Sequence, residues 1–73
     1  MKYKLTDSGR NHYIAENKNC RGAFTDKMRI LDYFYKSPNG EADLNECAKK
    51  LGLVEFTFSA TYLSNKHWIE IVK

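Results

Sequence analysis

Apolar and polar residues alternate at both ends of this chain and take helical spacing between them. At the front, Lys2 and Lys4 fall on one side and Tyr3 and Leu5 on the other, the pattern of a half-buried strand. At the back, Trp68-Ile69-Glu70-Ile71-Val72 predicts a second strand. Thr6 or Asp7 can cap a helix from Asp7 to Asn17, with Tyr13, Ile14 and Ala15 as its apolar content. Lys18 to Ala23 holds turn formers without a helical period and reads as a loop. Thr25 can cap the next helix, Asp26 to Lys36. Met28, Leu31 and Tyr35 share one of its faces, with Ile30 and Phe34 beside them. Ser37-Pro38-Asn39-Gly40 ends it, because proline cannot continue the ladder and Asn-Gly favours a tight turn.

The stretch from Asp43 to Leu53 is marked at both ends. Asp43 can cap, Glu46 stands three residues later as in a capping box, and Gly52 suits a left-handed C-cap. Leu44, Cys47, Ala48 and Leu51 recur at three- and four-residue spacing and form one apolar face. Leu51, Leu31 and Ile69 are expected in the core. A second apolar run follows, from Leu53 through a helix over Val54 to Asn65.

Helix, glycine turn, helix, short link and hydrophobic strand together resemble the winged helix-turn-helix family. The resemblance covers roughly the C-terminal half. Ala48 fits the small residue that lets the second helix cross closely over the first. Tyr62-Leu63-Ser64-Asn65-Lys66-His67-Trp68-Ile69-Glu70 looks like the family's passage from recognition helix to first wing strand. Glu41 and Ala42 then stand where the family places a very short strand. Tyr3-Lys4-Leu5-Thr6-Asp7-Ser8-Gly9-Arg10 resembles the second wing strand and the helix after it. In the family that phrase follows the first wing strand. Here it leads the chain, so either the order is circularly permuted or the match is accidental. A permuted order would pair the first strand antiparallel with Trp68–Val72. The fold class expected is α+β: a small winged-helix-like domain, its helices with a two- to three-stranded antiparallel sheet, the wing-like strand at the N-terminus.

The helix from Val54 admits two registers. At 100° per residue, Phe56, Ala60 and Leu63 share one side, while Val54, Phe58 and Tyr62 share nearly the opposite one. Counting back from Trp68 with the family's spacing puts Phe56, Ala60 and Leu63 inward. Thr57, Phe58, Thr61 and Tyr62 then face outward. Counting forward from Gly52 favours Phe58 and Tyr62 as core.

With 73 residues the chain makes one domain, and ten aromatic residues supply much of its buried area. The formal charge is +3, unevenly spread. Residues 1–36 carry eight Lys or Arg against four acids; residues 37–73 carry four against five. The half that resembles a DNA reader is therefore not the basic half. Phosphate attraction dominates sequence-independent DNA binding, so the first half must lend its charge.

The resemblance implies duplex DNA as partner and the work of a small transcriptional or phage-type regulator. Thr57, Ser59, Thr61 and Ser64 are candidates for bases or phosphates, and Lys49, Lys50 and Lys66 for phosphates. Arg10, with Lys2 and Lys4, belongs to the wing-like segment. The plain reading of all these is a solvated surface. Phe58 and Tyr62, if outward, suit a protein interface and a homodimer. The reading of another class is a protein–protein interaction module that reuses the fold without touching DNA.

No apolar run reaches membrane-spanning length and no signal peptide is evident, so a cytoplasmic protein is expected. Cys20, Cys47, His12 and His67 show no zinc-site spacing, and no glycine-rich phosphate loop follows a strand. Cys47 lies on an apolar face, as an inert core thiol would. No metal, cofactor, small-molecule substrate or catalytic residue is expected.

Overall fold

The computed structural model describes residues 2–19 and 25–72. The chain runs β1 (Lys2–Leu5), α1 (Asp7–Asn19), α2 (Asp26–Lys36), a 3₁₀ turn (Pro38–Gly40), β2 (Glu41–Asp43), α3 (Leu44–Leu51), α4 (Phe56–Asn65) and β3 (Ile69–Ile71). The fold class is α+β, as expected: among the described residues, four helices with a three-stranded antiparallel sheet in the order β2-β1-β3.

Local chemistry sets most boundaries. The Thr6 hydroxyl accepts the Gly9 amide at 3.0 Å, so Thr6 rather than Asp7 caps α1. The Thr25 hydroxyl accepts the Met28 amide at 3.3 Å at the start of α2. Asp43 Oδ1 accepts the amides of Asn45 at 2.8 Å and Glu46 at 3.2 Å. Those bonds, the Glu46 amide foremost, hold the Asp43 carboxyl below its usual range. Gly52 ends α3 in the left-handed region at φ 57°. Asn39 and Gly40 turn the chain into β2 at φ 60° and 68°.

The front strand is the middle strand. Tyr3 faces Ala42 on one side and Ile71 on the other. The antiparallel pairing of the two chain ends is the one a permuted order requires. β2 adds a third strand over Glu41–Asp43.

Helix α2 is the centre of the core. Ile30, Leu31 and Phe34 are fully buried, joined by Met28, Cys47, Leu63, Ile69 and Tyr13. The inward face of α2 thus centres on Ile30, Leu31 and Phe34, whereas Tyr35 is 41% exposed. A tyrosine at the edge keeps its hydroxyl wet while its ring covers Tyr13, at 4.7 Å between centroids. Leu31 and Ile69 are buried as expected. Leu51 is only half-buried, because it closes the last turn of α3 at the domain's edge. The first helix runs two residues beyond Asn17, so Lys18 and Asn19 are helical. The rest of the expected loop, from Cys20, lies outside the described residues.

Helix α1 sits on the strand pair at Gly9. A Cβ placed there would stand 2.1 Å from the Trp68 carbonyl oxygen and 2.9 Å from Leu5 Cδ1. Alanine normally gains about 1 kcal/mol over glycine inside a helix. Here the close backbone approach should reverse that sign. Gly9→Ala is expected to lower the melting temperature by several degrees, roughly 4–8 °C per kcal/mol for a domain of this size. A melt at or above that of the parent, followed by circular dichroism, would show that α1 does not seat on this carbonyl.

Candidate nucleic-acid interface

The α4 register is the one counted back from Trp68. Leu63 and Ala60 are buried and Phe56 is half-buried, while Val54 is 99% and Phe58 67% exposed. Around the helix, three kinds of surface follow. The inward arc holds Phe56, Ser59, Ala60 and Leu63. One flank carries Thr57, Thr61 and Ser64; the other carries Phe58 and Tyr62.

The hydroxyl flank faces α3 and β1. Thr57, Thr61, Ser64 and Asn65 line a cleft of about 330 Å³ with Asn45 of α3 and Tyr3 of β1. Ala48 also lines it. Lys49 follows Asn45 by one helical turn, and both it and Lys50 are exposed. The cleft therefore gathers hydroxyls and amides able to meet base edges or phosphates, with Lys49 one turn along α3 from Asn45 and Lys50 on the far side of that helix.

Three site expectations need correction. Ser59 is 5% exposed, one helical step round from Phe58, and turns inward. It offers no surface to a nucleic acid. Tyr62 does not project outward: it is half-buried, packs edge-on against Trp68 at 6.0 Å and lies against the core. Lys66 stands away from the hydroxyl flank, with its ammonium 5.6 Å from the centre of the Tyr62 ring.

The wing-like basic group is dispersed. Lys2 pairs with Glu41 at 3.9 Å and Lys4 with Glu70 at 3.3 Å, each across the sheet. Both pairs are exposed and easily exchanged for a phosphate, since such bridges contribute about 0–1 kcal/mol. Arg10 lies over the Tyr35 ring at 5.9 Å, on the α1–α2 side of the molecule. It does not join the cleft.

Sequence reasoning missed Asn45, Asn65 and Tyr3 as cleft residues, and it missed Lys27. Asn45 and Asn65 could have been found by extending the Lys49 and Thr61 columns by one turn. Tyr3 reaches the cleft from the sheet, and Lys27 reaches Tyr62 from α2 at 4.7 Å. Those two depend on tertiary placement.

Among the described residues no group of three or more His, Cys, Asp or Glu could hold a metal ion. No described helix is long and apolar enough to cross a membrane. No family model, curated protein or solved structure matches this chain.

Cys47 and His12 stand apart in the core and on α1, and Cys47 is fully buried. Burial pushes its thiol up to about 11. Tyr13 is pushed up to about 12, first by burial and then by donating its hydroxyl hydrogen bond to Asp32. Both groups keep their protons more firmly in the folded chain than in the unfolded one. Alkaline pH therefore favours unfolding. Stability should stay level through neutral pH, then fall as pH rises past the usual thiol range toward 11, and further toward 12. Urea midpoints at about pH 7 and about pH 10 measure this. Cys47→Ala should flatten the first part of the decline; an unchanged slope would place the titration elsewhere.

Proposed function

We propose that this chain is a winged-helix DNA-binding protein, a small transcriptional or phage-type regulator. It holds duplex DNA on the face made by α3 and α4. The observation that carries the reading is the convergence of Asn45, Thr57, Thr61, Ser64 and Asn65 on one open cleft, with Lys49 and Lys50 exposed on α3. The paired helices with their glycine turn, and the strand order that brings the two chain ends together, support the family resemblance. Thr57 belongs to the first turn of α4, the part that enters a groove in helix-turn-helix proteins, and Thr61 follows it one turn later. A cytoplasmic setting goes with this role.

A titration with random-sequence duplex at two salt concentrations tests it. The double variant Lys49→Ala, Lys50→Ala should bind more weakly on every sequence. Its salt slope should drop by about 0.9 for each phosphate that the variant no longer neutralises. No binding by the parent protein at low salt would end the duplex reading.

The second reading, a protein–protein interaction module, draws on a specific feature. Val54, in the turn before α4, and Phe58, in its first turn, are large, apolar and exposed, and both line one surface depression. Solvent-facing apolar clusters of this kind mark protein contacts. A homodimer through them fits either reading, since DNA-reading motifs often act as two-fold pairs. Sedimentation equilibrium at micromolar concentration should give a dimer mass that Phe58→Lys returns to the monomer. A monomer mass for both proteins would remove this dimer.

A further inference from the structure

The aromatic flank of α4 carries a second group of side chains, separate from the hydroxyl cleft. Tyr62 and Trp68 meet edge to face, and His12 of α1 stacks on Trp68 with centroids 3.8 Å apart and planes 13° from parallel. Two ammonium groups approach the same tyrosine ring. Lys27, from the first turn of α2, comes within 4.7 Å of its centre, and Lys66, at the end of α4, within 5.6 Å.

Neither lysine makes an ion pair among the described residues, whereas Lys2, Lys4 and Lys36 all do. Cation–π attraction to an exposed ring supplies only about 0.5–1 kcal/mol. It does not remove the mutual repulsion of two like charges drawn to one ring. An anion in the cavity that Lys27 lines would offset that charge. The adjoining cavity, about 250 Å³, is walled by Tyr62, Trp68 and Met28, with Lys27, His12, Glu16 and Thr25 at its polar edges; Lys66 is not part of its lining and approaches the Tyr62 ring from beyond it. It is smaller than the roughly 300–1,000 Å³ of sites for drug-sized ligands. One ring system with one phosphate matches that size.

Glu16 narrows the chemistry further. A bare anion would be repelled by its carboxylate. A ligand with an anion at one end and hydrogen-bond donors at the other satisfies both lysines and Glu16. Phosphate attached to an amino-bearing nucleobase has that character, because carboxylates accept from the exocyclic amine of cytosine. Half-buried aromatic rings beside lysines are also how proteins hold single-stranded nucleic acid.

We propose that Lys27, Lys66, Tyr62, Trp68 and Glu16 form a binding site for one nucleotide unit bearing an amino group on its base. The lysines hold the phosphate, the rings cover the base, and Glu16 accepts from its amine. The unit comes either from a free mononucleotide or from a single strand. The site does not rest on the duplex reading: Lys49 and Lys50 play no part in it.

Trp68 is the sole tryptophan, so intrinsic fluorescence reports on this cavity directly. The probes are cytidine and thymidine monophosphates, and oligo-dC and oligo-dT strands of about ten residues. A saturable change is expected with the cytosine probes, tighter than with their thymine counterparts. Lys27→Gln and Lys66→Gln should each weaken binding severalfold and lower the strand's salt slope by about 0.7. Glu16→Gln should abolish the preference for cytosine over thymine. Lys36→Gln, which removes the same charge from the far end of α2, should leave binding unchanged. Binding of the monophosphate identifies a free nucleotide as sufficient; binding of the strand alone identifies a single strand. Either upholds the site. No saturable change with any probe at low salt, or a change indifferent to both lysine variants, overturns it. A cytosine preference that survives Glu16→Gln overturns the role of the carboxylate.

Discussion

Among the described residues, the strand β1 is the only hydrogen-bonded partner that either β2 or β3 has in the sheet. Each of those strands is three residues long and could not persist without it. At its end, Thr6 ties three elements together. Its amide donates to the Trp68 carbonyl at 3.0 Å, and its hydroxyl donates to the carbonyl of His67. The same hydroxyl accepts from Gly9, and the Thr6 carbonyl accepts from Arg10 at 2.9 Å. One residue therefore closes the sheet and opens α1. His67 takes a left-handed φ of 61°, a conformation that costs a non-glycine residue about 1–2 kcal/mol. The bonds from His67 to Thr6 and Ser64 hold the chain in that turn as it leaves α4 for β3.

This closure determines what α4 can present. The helix lies with Ala60 and Leu63 on the core built by α2, and β3 follows it after a tight turn. Its rotation is then fixed, and so are its two flanks. Thr57, Thr61 and Ser64 turn toward α3 and β1. Phe58 and Tyr62 turn the other way, toward α1 and α2. Tyr62 is drawn down by Trp68, the residue just before β3, while Phe58, one turn earlier, has no such neighbour and stays exposed. The two flanks of one helix thus acquire opposite chemistry from the elements they meet.

What the sequence disclosed was mostly local. The Asp43 cap, the Thr25 cap and the Gly52 turn each rest on atoms within four residues, so side-chain type alone foretold them. The pairing of the chain ends was also legible, because both carry strand alternation and both need the same cover. The misplacements have tertiary causes. Ser59 joins the candidates for bases or phosphates by its hydroxyl, yet its angle puts it beside Leu63 against the core. Tyr35 shares a face with Met28 and Leu31 by helical spacing. The α2 interior instead centres on Ile30, Leu31 and Phe34, leaving the tyrosine at its edge. The polar end of α1 gave no periodic signal. The helix nonetheless continues to Asn19, and Tyr13 anchors its middle in the core.

Charge follows the same division between local text and tertiary placement. The basic first half of the chain must supply positive potential if the acidic second half is to meet a polyanion. The N-terminal strand is the natural source by sequence, but Lys4 stands opposite both Glu41 and Glu70 in the register of the sheet and Lys2 opposite Asp43, and Lys2 pairs with Glu41 and Lys4 with Glu70. Their potential is largely cancelled at a distance, whatever they do on contact. The lysine from the first half that reaches α4 is Lys27, from the helix that forms the core. It stands with Lys66 on one flank of α4, while Lys49, on α3, stands beyond the other. The outward arc of α4, with Thr61 and Asn65 near its crest, therefore lies between lysines that make no ion pair among the described residues. A polyanion laid across that arc would find positive charge on both sides, though the second half of the sequence by itself is net acidic.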